Sequence, residues 1–447
     1  MQKVLRALLA VAGGILVLFL LARLVTLLVI GQWSWAAWLD PLGALTFWKT
    51  FLAVAGVAGG LTLIFLLLRP RPGMSLPLAL ALTLGVAGLG ALGYRTIDRA
   101  VKEHDQRREY HYAVPELPAR APAPDRFAAD GRQRGASIFG WDAVSEEGLR
   151  RLDELGVEWV AVMPFDYMRA ADEPAIEHLD ELPDLRRKDE TMIALLRLAR
   201  SQGKHVMLKP HLWIEAGWRN DLGFADEAQW DEWFDNYAAL TLQYARVAAA
   251  GEAEIFCIGT EMIESVRNQP TRWRELIGQI REVYDGELTY AANWDAEYDE
   301  IPFWNLLDYV GVQAYFPMPT EGEITVPKLR AALRPELDTL GQFAARVGRP
   351  VLFTEYGFRR IRGTAVAPWS WPSSVDLLRS VRCDDCQARA YGALWAEAAA
   401  RPWFRGGYLW EYDFLEDDGP DAHQYYGFSP RHAPPTEAVI RKLYRGG

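Results

Sequence analysis

The sequence predicts an α/β chain: a (β/α)8 barrel of the TIM type, preceded by an N-terminal region of three transmembrane helices. Two observations predict it. Residues 1–100 carry eight Lys/Arg against two acids and hold three long apolar runs, while the rest of the 447-residue chain carries −17 of a total net charge of −11. From residue 136, short β-branched apolar runs alternate with longer amphipathic ones, the pattern of parallel strands joined by helical crossovers.

The apolar runs are Ala7–Ile30, Phe51–Leu68 and Leu76–Tyr94, each near the ~20 residues that cross ~30 Å of hydrocarbon as a helix. The first is too long for the core of a cleaved leader and two more follow it, so we read three spans. Arg23 inside the first must snorkel or face another helix. Lys3, Arg6, Arg69 and Arg71 assign their loops to the cytoplasm, and Trp33, Trp35 and Trp38 suit the opposite interface. Three spans then carry the following domain out of the cytoplasm, although Arg95, Arg99 and Lys102 on that side run against the rule. Residues 1–95 are thus the membrane region and 96–126 a charged, proline-rich linker. The prolines between Pro115 and Pro124 bar a helix there. The barrel occupies 127–447.

Its acidic balance excludes a general nucleic-acid binder, which needs positive surface to track phosphates. Three cysteines exclude a disulfide-built scaffold and a four-cysteine zinc site. The expected strands are Ala136–Gly140, Glu158–Met163, His205–Lys209, Glu254–Gly259, Glu287–Ala292, Tyr309–Ala314, Pro350–Thr354 and Gly407–Trp410. Helical patterns fall at Ser145–Leu155, Asp189–Gln202, Ala228–Ala250, Trp273–Tyr284, Lys328–Val347 and Gln387–Ala399. Ser145 has the place of a cap, and Gly156 and Gly203 sit where helices should stop. Eight strands suit a closed barrel. A doubly wound sheet would want a glycine-rich phosphate turn where this chain has Phe139-Gly140-Trp141-Asp142.

In such a barrel the C-terminal strand ends face the active-site mouth. Here they carry Trp141, His211 and Trp213, Glu261, Asn293 and Trp294, Tyr315, Glu355, and Trp410. Two glutamates across one cleft suit retaining glycoside hydrolysis, in which one carboxyl donates a proton and the other attacks the anomeric carbon. Tryptophan and tyrosine faces stack on sugar rings, and Asn293 and His211 suit hydroxyls. The reaction needs no cofactor, and no convincing metal-ligand cluster is visible.

The strings Phe256-Cys-Ile-Gly-Thr-Glu261, Leu288-Thr-Tyr-Ala-Ala-Asn-Trp294, Asp308-Tyr-Val-Gly-Val-Gln-Ala-Tyr315 and Leu352-Phe-Thr-Glu-Tyr-Gly357 resemble glycoside hydrolase family 113. That family lies in the clan of retaining barrel enzymes and contains β-mannanases. The resemblance covers roughly residues 135–445. It implies Glu261 as acid/base, Glu355 as nucleophile and a β-linked hexose glycan, mannan first, as substrate. Where the clan commonly has Asn before its acid/base this chain has Thr260, which leaves the partner of the sugar 2-hydroxyl open; Asn293 is a candidate. Tyr315 has the place of a residue that orients the nucleophile, and Trp410 that of a sugar platform.

Other readings stay open from sequence alone. A barrel that binds envelope polysaccharide without cleaving it, or a transglycosylase using the same two glutamates, fits the same residues. The expected partners are a polysaccharide or oligosaccharide and the lipid bilayer, with no nucleic acid; the oligomeric state is not readable. Trp141, Trp213 and Trp218 suit packing as well as stacking, and Glu411 reads as a loop acid. Trp230, Trp233 and Tyr237 share one helix face and read as core. Cys383 and Cys386 fit a redox pair, a metal half-site or a disulfide, and an outward domain favours the disulfide. Cys257 reads as a buried apolar residue. The acidic run 416–421 reads as a solvated loop.

Overall fold

The computed structural model describes residues 126–177, 182–319, 324–370, 381–414 and 427–446. The three apolar runs, Arg23, the linker up to residue 125 and the acidic run 416–421 lie outside the described residues. Among the described residues no helix is long and apolar enough to cross a membrane. The chain divides into two units, residues 1–111 with 180–187 and residues 112–179 with 188–447. The second unit carries the following architecture, except for residues 182–187, which fall in the first.

It begins with α1 (Arg126–Asp130), β1 (Gln133–Phe139), α2 (Glu146–Leu155), β2 (Trp159–Val162) and β3 (Phe165–Ala170). Then come α3 (Leu182–Ser201), β4 (His205–Leu208), β5 (His211–Ala216), α4 (Glu227–Ala250), β6 (Ile255–Thr260), α5 (Ile263–Asn268) and α6 (Pro270–Val283). It closes with β7 (Glu287–Asn293), β8 (Val310–Gln313), α7 (Val326–Val347), β9 (Val351–Tyr356), α8 (Asp384–Ala399), β10 (Phe404–Asp413) and α9 (Pro434–Arg445). Eight strands close into a barrel in the order β1-β10-β9-β8-β7-β6-β4-β2, and every pairing in it is parallel. All eight expected strands are there, with ends shifted by up to three residues.

The strands read as near-continuous apolar runs because both of their faces are covered. Outward residues such as Ile138, Val160, Leu208, Phe256 and Val312 join the core beneath the helices. Inward residues, among them Trp159, Met207, Ile255, Leu352 and Tyr408, fill the barrel. Gly135 faces this interior: a Cβ there would lie 2.4 Å from Tyr408 Cδ1, so the tyrosine ring needs glycine opposite. Tyr408 Oη donates to Gln133 Oε1 at 2.7 Å. α1 plugs the N-terminal end, with the Phe127 ring 5.0 Å from Trp159 and 5.2 Å from His205. The chain therefore enters the barrel at the end opposite the strand C-termini.

β3 and β5 were not expected. They form a separate parallel pair, and each continues a barrel strand past a proline, β2 past Pro164 and β4 past Pro210. Proline supplies no N–H, so the barrel ladder stops there and pairing resumes one level higher. His211 N–H donating to Pro164 O at 2.8 Å begins the new ladder. This upper sheet carries His211, Trp213, Phe165 and Tyr167 to the barrel mouth. It packs on α4, where Trp233 Nε1 donates to Met168 Sδ at 3.3 Å. Trp233 and Tyr237 stack at 5.1 Å and are buried, as their helical spacing implies.

The expected caps are present. Ser145 Oγ accepts from Gly148 N at 3.3 Å, and Gly156 ends α2 at φ 81° in the left-handed region that favours glycine. Cys257 is buried in the barrel interior. Of the three readings of Cys383 and Cys386, the disulfide is the one found, at the N-terminus of α8.

Candidate active site

The C-terminal strand ends open into a cavity of about 1100 Å³. Eight of the nine residues expected at the site line it: His211, Trp213, Glu261, Asn293, Trp294, Tyr315, Glu355 and Trp410. Trp141 does not. It lies in a short 3-10 turn, Trp141–Ala143, and packs, partly buried, against the main hydrophobic core. Glu411, read as a loop acid, is instead part of β10, is buried and lines the cavity.

Glu355 turns inward where the β8–β9 register shifts between Val312 and Gln313, and it is 3% exposed. Its Oε1 forms an ion pair with Lys209 Nζ, and Tyr315 Oη donates to its Oε2 at 2.8 Å. Lys209 follows β4 directly and is wholly buried. Its ammonium also reaches His211 Nε2 at 2.9 Å and Gln313 Oε1 at 3.4 Å. Burial pushes the Glu355 carboxyl above the usual range and the charge of Glu261 adds to this, while Lys209 and Tyr315 oppose it. Burial first, then Lys209 and Arg219, press His211 well below its ordinary value, so the ring is neutral. An ammonium only donates, so Nε2 accepts and the imidazole proton sits on Nδ1. Burial and the neighbouring Glu355 keep Tyr315 protonated, a donor throughout the neutral range. Gly357 completes this corner, since a Cβ there would lie 2.3 Å from Trp410 O.

Glu261 has a different setting. It follows β6 at φ 51°, a left-handed conformation that costs roughly 1–2 kcal/mol for a residue with a Cβ and turns the side chain off the strand into the cavity. Its N–H donates to Ala291 O at 2.9 Å. Arg219 Nη2 donates to its Oε2 at 2.9 Å and Asn293 Nδ2 to its Oε1 at 3.3 Å. Arg219 belongs to the turn Arg219–Asp221, and its guanidinium stacks on Trp218 at 4.5 Å.

Aromatic faces surround both carboxyls. Trp410 stands 5.7 Å from the His211 ring, with Lys209 Nζ also 5.7 Å from its centroid. Trp294 and Trp369 pair at 5.2 Å. Trp213, Trp218 and Trp369 are 45%, 39% and 44% exposed; large apolar rings left open along a cleft are surfaces for a ligand with apolar faces, as sugars have. Among the described residues no group of three or more His, Cys, Asp or Glu is placed to hold a metal ion.

Sequence reasoning missed Lys209, Gln313, Arg219 and Trp369 as site residues. Lys209 had a readable signal, a charge closing the apolar run Val206–Leu208 just before a proline. Arg219 had none, because it lies in an irregular turn and meets Glu261 only through the fold.

Two carboxyls in unlike surroundings within one aromatic-lined cavity form the arrangement that acid-assisted cleavage of a glycosidic bond requires. Comparisons with known proteins agree. The sequence profile of glycoside hydrolase family 113 matches residues 139–430. A family 113 β-mannanase from Alicyclobacillus acidocaldarius, solved with the ligand ManMIm, is 26% identical, superposes with a TM-score of 0.61, and covers 71% of this chain and 98% of its own. A second β-1,4-mannanase structure of the family is 25% identical, with TM-score 0.61, over 70% of this chain and 98% of its own. A third, a complex at 24% identity and TM-score 0.61, covers 71% and 99% and shares the fold. A comparison with curated protein sequences finds no match. The match runs from the end of β1 through the last cavity-lining loop and so takes in every carboxyl of the site, which makes this chain a glycoside hydrolase and a member of glycoside hydrolase family 113.

Proposed function

We propose that this chain is a membrane-anchored retaining β-mannanase in which Glu355 is the nucleophile and Glu261 the acid/base. One observation carries the reading: of the buried carboxyls that line the cavity, Glu261, Glu355, Glu411 and Asp413, Glu355 is the one that the Lys209 ammonium and the Tyr315 phenol hold as an oriented anion. Glu355 attacks the anomeric carbon while Glu261 protonates the leaving oxygen. Once Glu355 is esterified its charge is gone, and Glu261, held by Arg219 and Asn293, takes a proton from water to release the sugar. The first product formed from β-1,4-mannooligosaccharides is then the β-anomer, as read by proton NMR before mutarotation. Release of the α-anomer would overturn retention, and preference for another β-glycan would overturn mannan. Lengthened products at high acceptor concentration would mark transglycosylation.

Lys209 supplies the test of the nucleophile's ionisation. Glu355 must be charged to attack, so activity falls as pH drops through its raised value. Lys209→Met removes the cation that opposes this rise. The acid limb of kcat/KM therefore moves to higher pH, by about 1–3 units. A limb that stays in place while the variant remains folded would show that another group sets it.

Anchoring outside the cytoplasm is supported by the three apolar runs, by the basic loops and by the disulfide Cys383–Cys386. Protease added to right-side-out vesicles carrying the full chain then digests the barrel, and inside-out vesicles protect it. The reverse pattern would overturn the topology.

A further inference from the structure

Behind the Glu261 side of the cavity lies a carboxyl that the proposed mechanism does not use. Glu297, in the loop after β7, is 1% exposed. It is brought back under the strand end by Ala296, a non-glycine at φ 52°. Its Oε2 accepts the backbone N–H of Asn293 at 2.5 Å and its Oε1 the hydroxyl of Tyr290 at 2.7 Å. Tyr290 Oη in turn accepts the backbone N–H of Met262 at 2.7 Å. One carboxylate thus ties down both supports of Glu261: the backbone of Asn293, whose amide reaches Glu261 Oε1, and the residue that follows Glu261.

We propose that Glu297 is a positioning residue for proton transfer by Glu261, fixing Asn293 and the 261–262 peptide so that the acid carboxyl meets the leaving oxygen. The proposal rests on Glu261 being the acid/base. The charged or titratable groups facing Glu297 are Glu261 at the end of β6, Tyr290 in β7 and Arg219 in the turn before α4. Burial, with the charge of Glu261 adding to it, pushes the Glu297 carboxyl up to about 7, against the Asn293 N–H, the Tyr290 hydroxyl and Arg219. Above about pH 7 Glu297 is an acceptor on both oxygens, as the two donors require. Below it one oxygen carries a proton, and the group resembles glutamine.

The experiment compares the full chain with its Glu297→Gln variant, using aryl β-mannosides of graded leaving-group pKa. Leaving groups that need no proton depart without acid help, so kcat/KM on the dinitrophenyl substrate changes less than about threefold. On poor leaving groups it falls about 10- to 100-fold, the lower part of the range for general acid catalysis. That deficit is present at about pH 8 and fades below about pH 6, where wild-type Glu297 is itself protonated. Tyr290→Phe removes the hydroxyl that links Glu297 Oε1 to the Met262 N–H but keeps the carboxyl and its bond from the Asn293 N–H, and it gives the same leaving-group pattern with a smaller loss. Equal losses on good and poor leaving groups in both variants would overturn the proposal alone. If Glu261→Ala itself shows no leaving-group dependence, the acid/base reading falls and this proposal with it.

Discussion

Alanine at position 355 lowers kcat/KM on aryl β-mannosides by about 10⁵-fold, or roughly 7 kcal/mol at 1.36 kcal/mol per decade, and sodium azide restores turnover with the α-mannosyl azide as product. The structure says why an anion should rescue. Removing the carboxylate leaves Lys209 as a buried ammonium whose remaining partners, His211 and Gln313, are neutral. An unpaired buried charge of this kind destabilises a protein by about 3–5 kcal/mol, so the vacated space favours a small anion on electrostatic grounds. Azide entering there attacks the face that Glu355 would attack and inverts the anomeric centre once. Anions should also raise the melting temperature of this variant while leaving that of the wild type unchanged. Retention of more than about one part in a hundred of the activity, or a β-azide product, would remove Glu355 from the role of nucleophile.

The part of the molecule legible in sequence is the part built on periodic burial. Barrel strands are covered on both faces, so Trp159–Val162 or the start of β9, Val351-Leu-Phe353, stand out as unbroken apolar runs between amphipathic helices. Residues that end such strands point to the mouth, which is why Glu261, Asn293, Glu355 and Trp410 could be named from spacing together with the resemblance. β3 and β5 escaped because Phe165-Asp-Tyr-Met-Arg-Ala and His211-Leu-Trp-Ile-Glu-Ala alternate with polar residues and follow prolines, which read as loop. Their apolar residues Met168, Leu212 and Ile214 face α4 and the barrel, a partner that local sequence does not announce. Trp141 is absent from the cavity lining for the related reason that a strand-end aromatic can pack on the core as readily as open into the cleft. The electrostatics were the least legible layer. Nothing local links Lys209 to Glu355, 146 residues later, or Arg219 to Glu261. Those pairings exist only after closure of the barrel, yet in the proposed mechanism they give two chemically identical carboxyls opposite duties.

The complementary experiment replaces Glu261. Glu261→Ala lowers kcat/KM on poor leaving groups and on mannooligosaccharides by about 10²–10⁴-fold, the range for a general acid, and leaves dinitrophenyl substrates able to glycosylate Glu355. Release of the sugar then becomes slow, because no base activates water, so the covalent intermediate accumulates and a burst of aryl leaving group precedes a slow steady state. Azide needs no base. It intercepts the intermediate from the open face and yields the β-mannosyl azide, inverted twice and so retained. The two alanine variants therefore give azides of opposite configuration, and the configuration itself assigns the roles: α where the nucleophile is missing, β where the acid/base is missing. Loss of folding, weaker binding or a displaced loop would lower activity in either variant, but none of these would make the product anomer depend on which glutamate was removed. If both variants gave the same azide, the division of labour between the Lys209-held and the Arg219-held carboxyl would be wrong, even with the fold and the family unchanged.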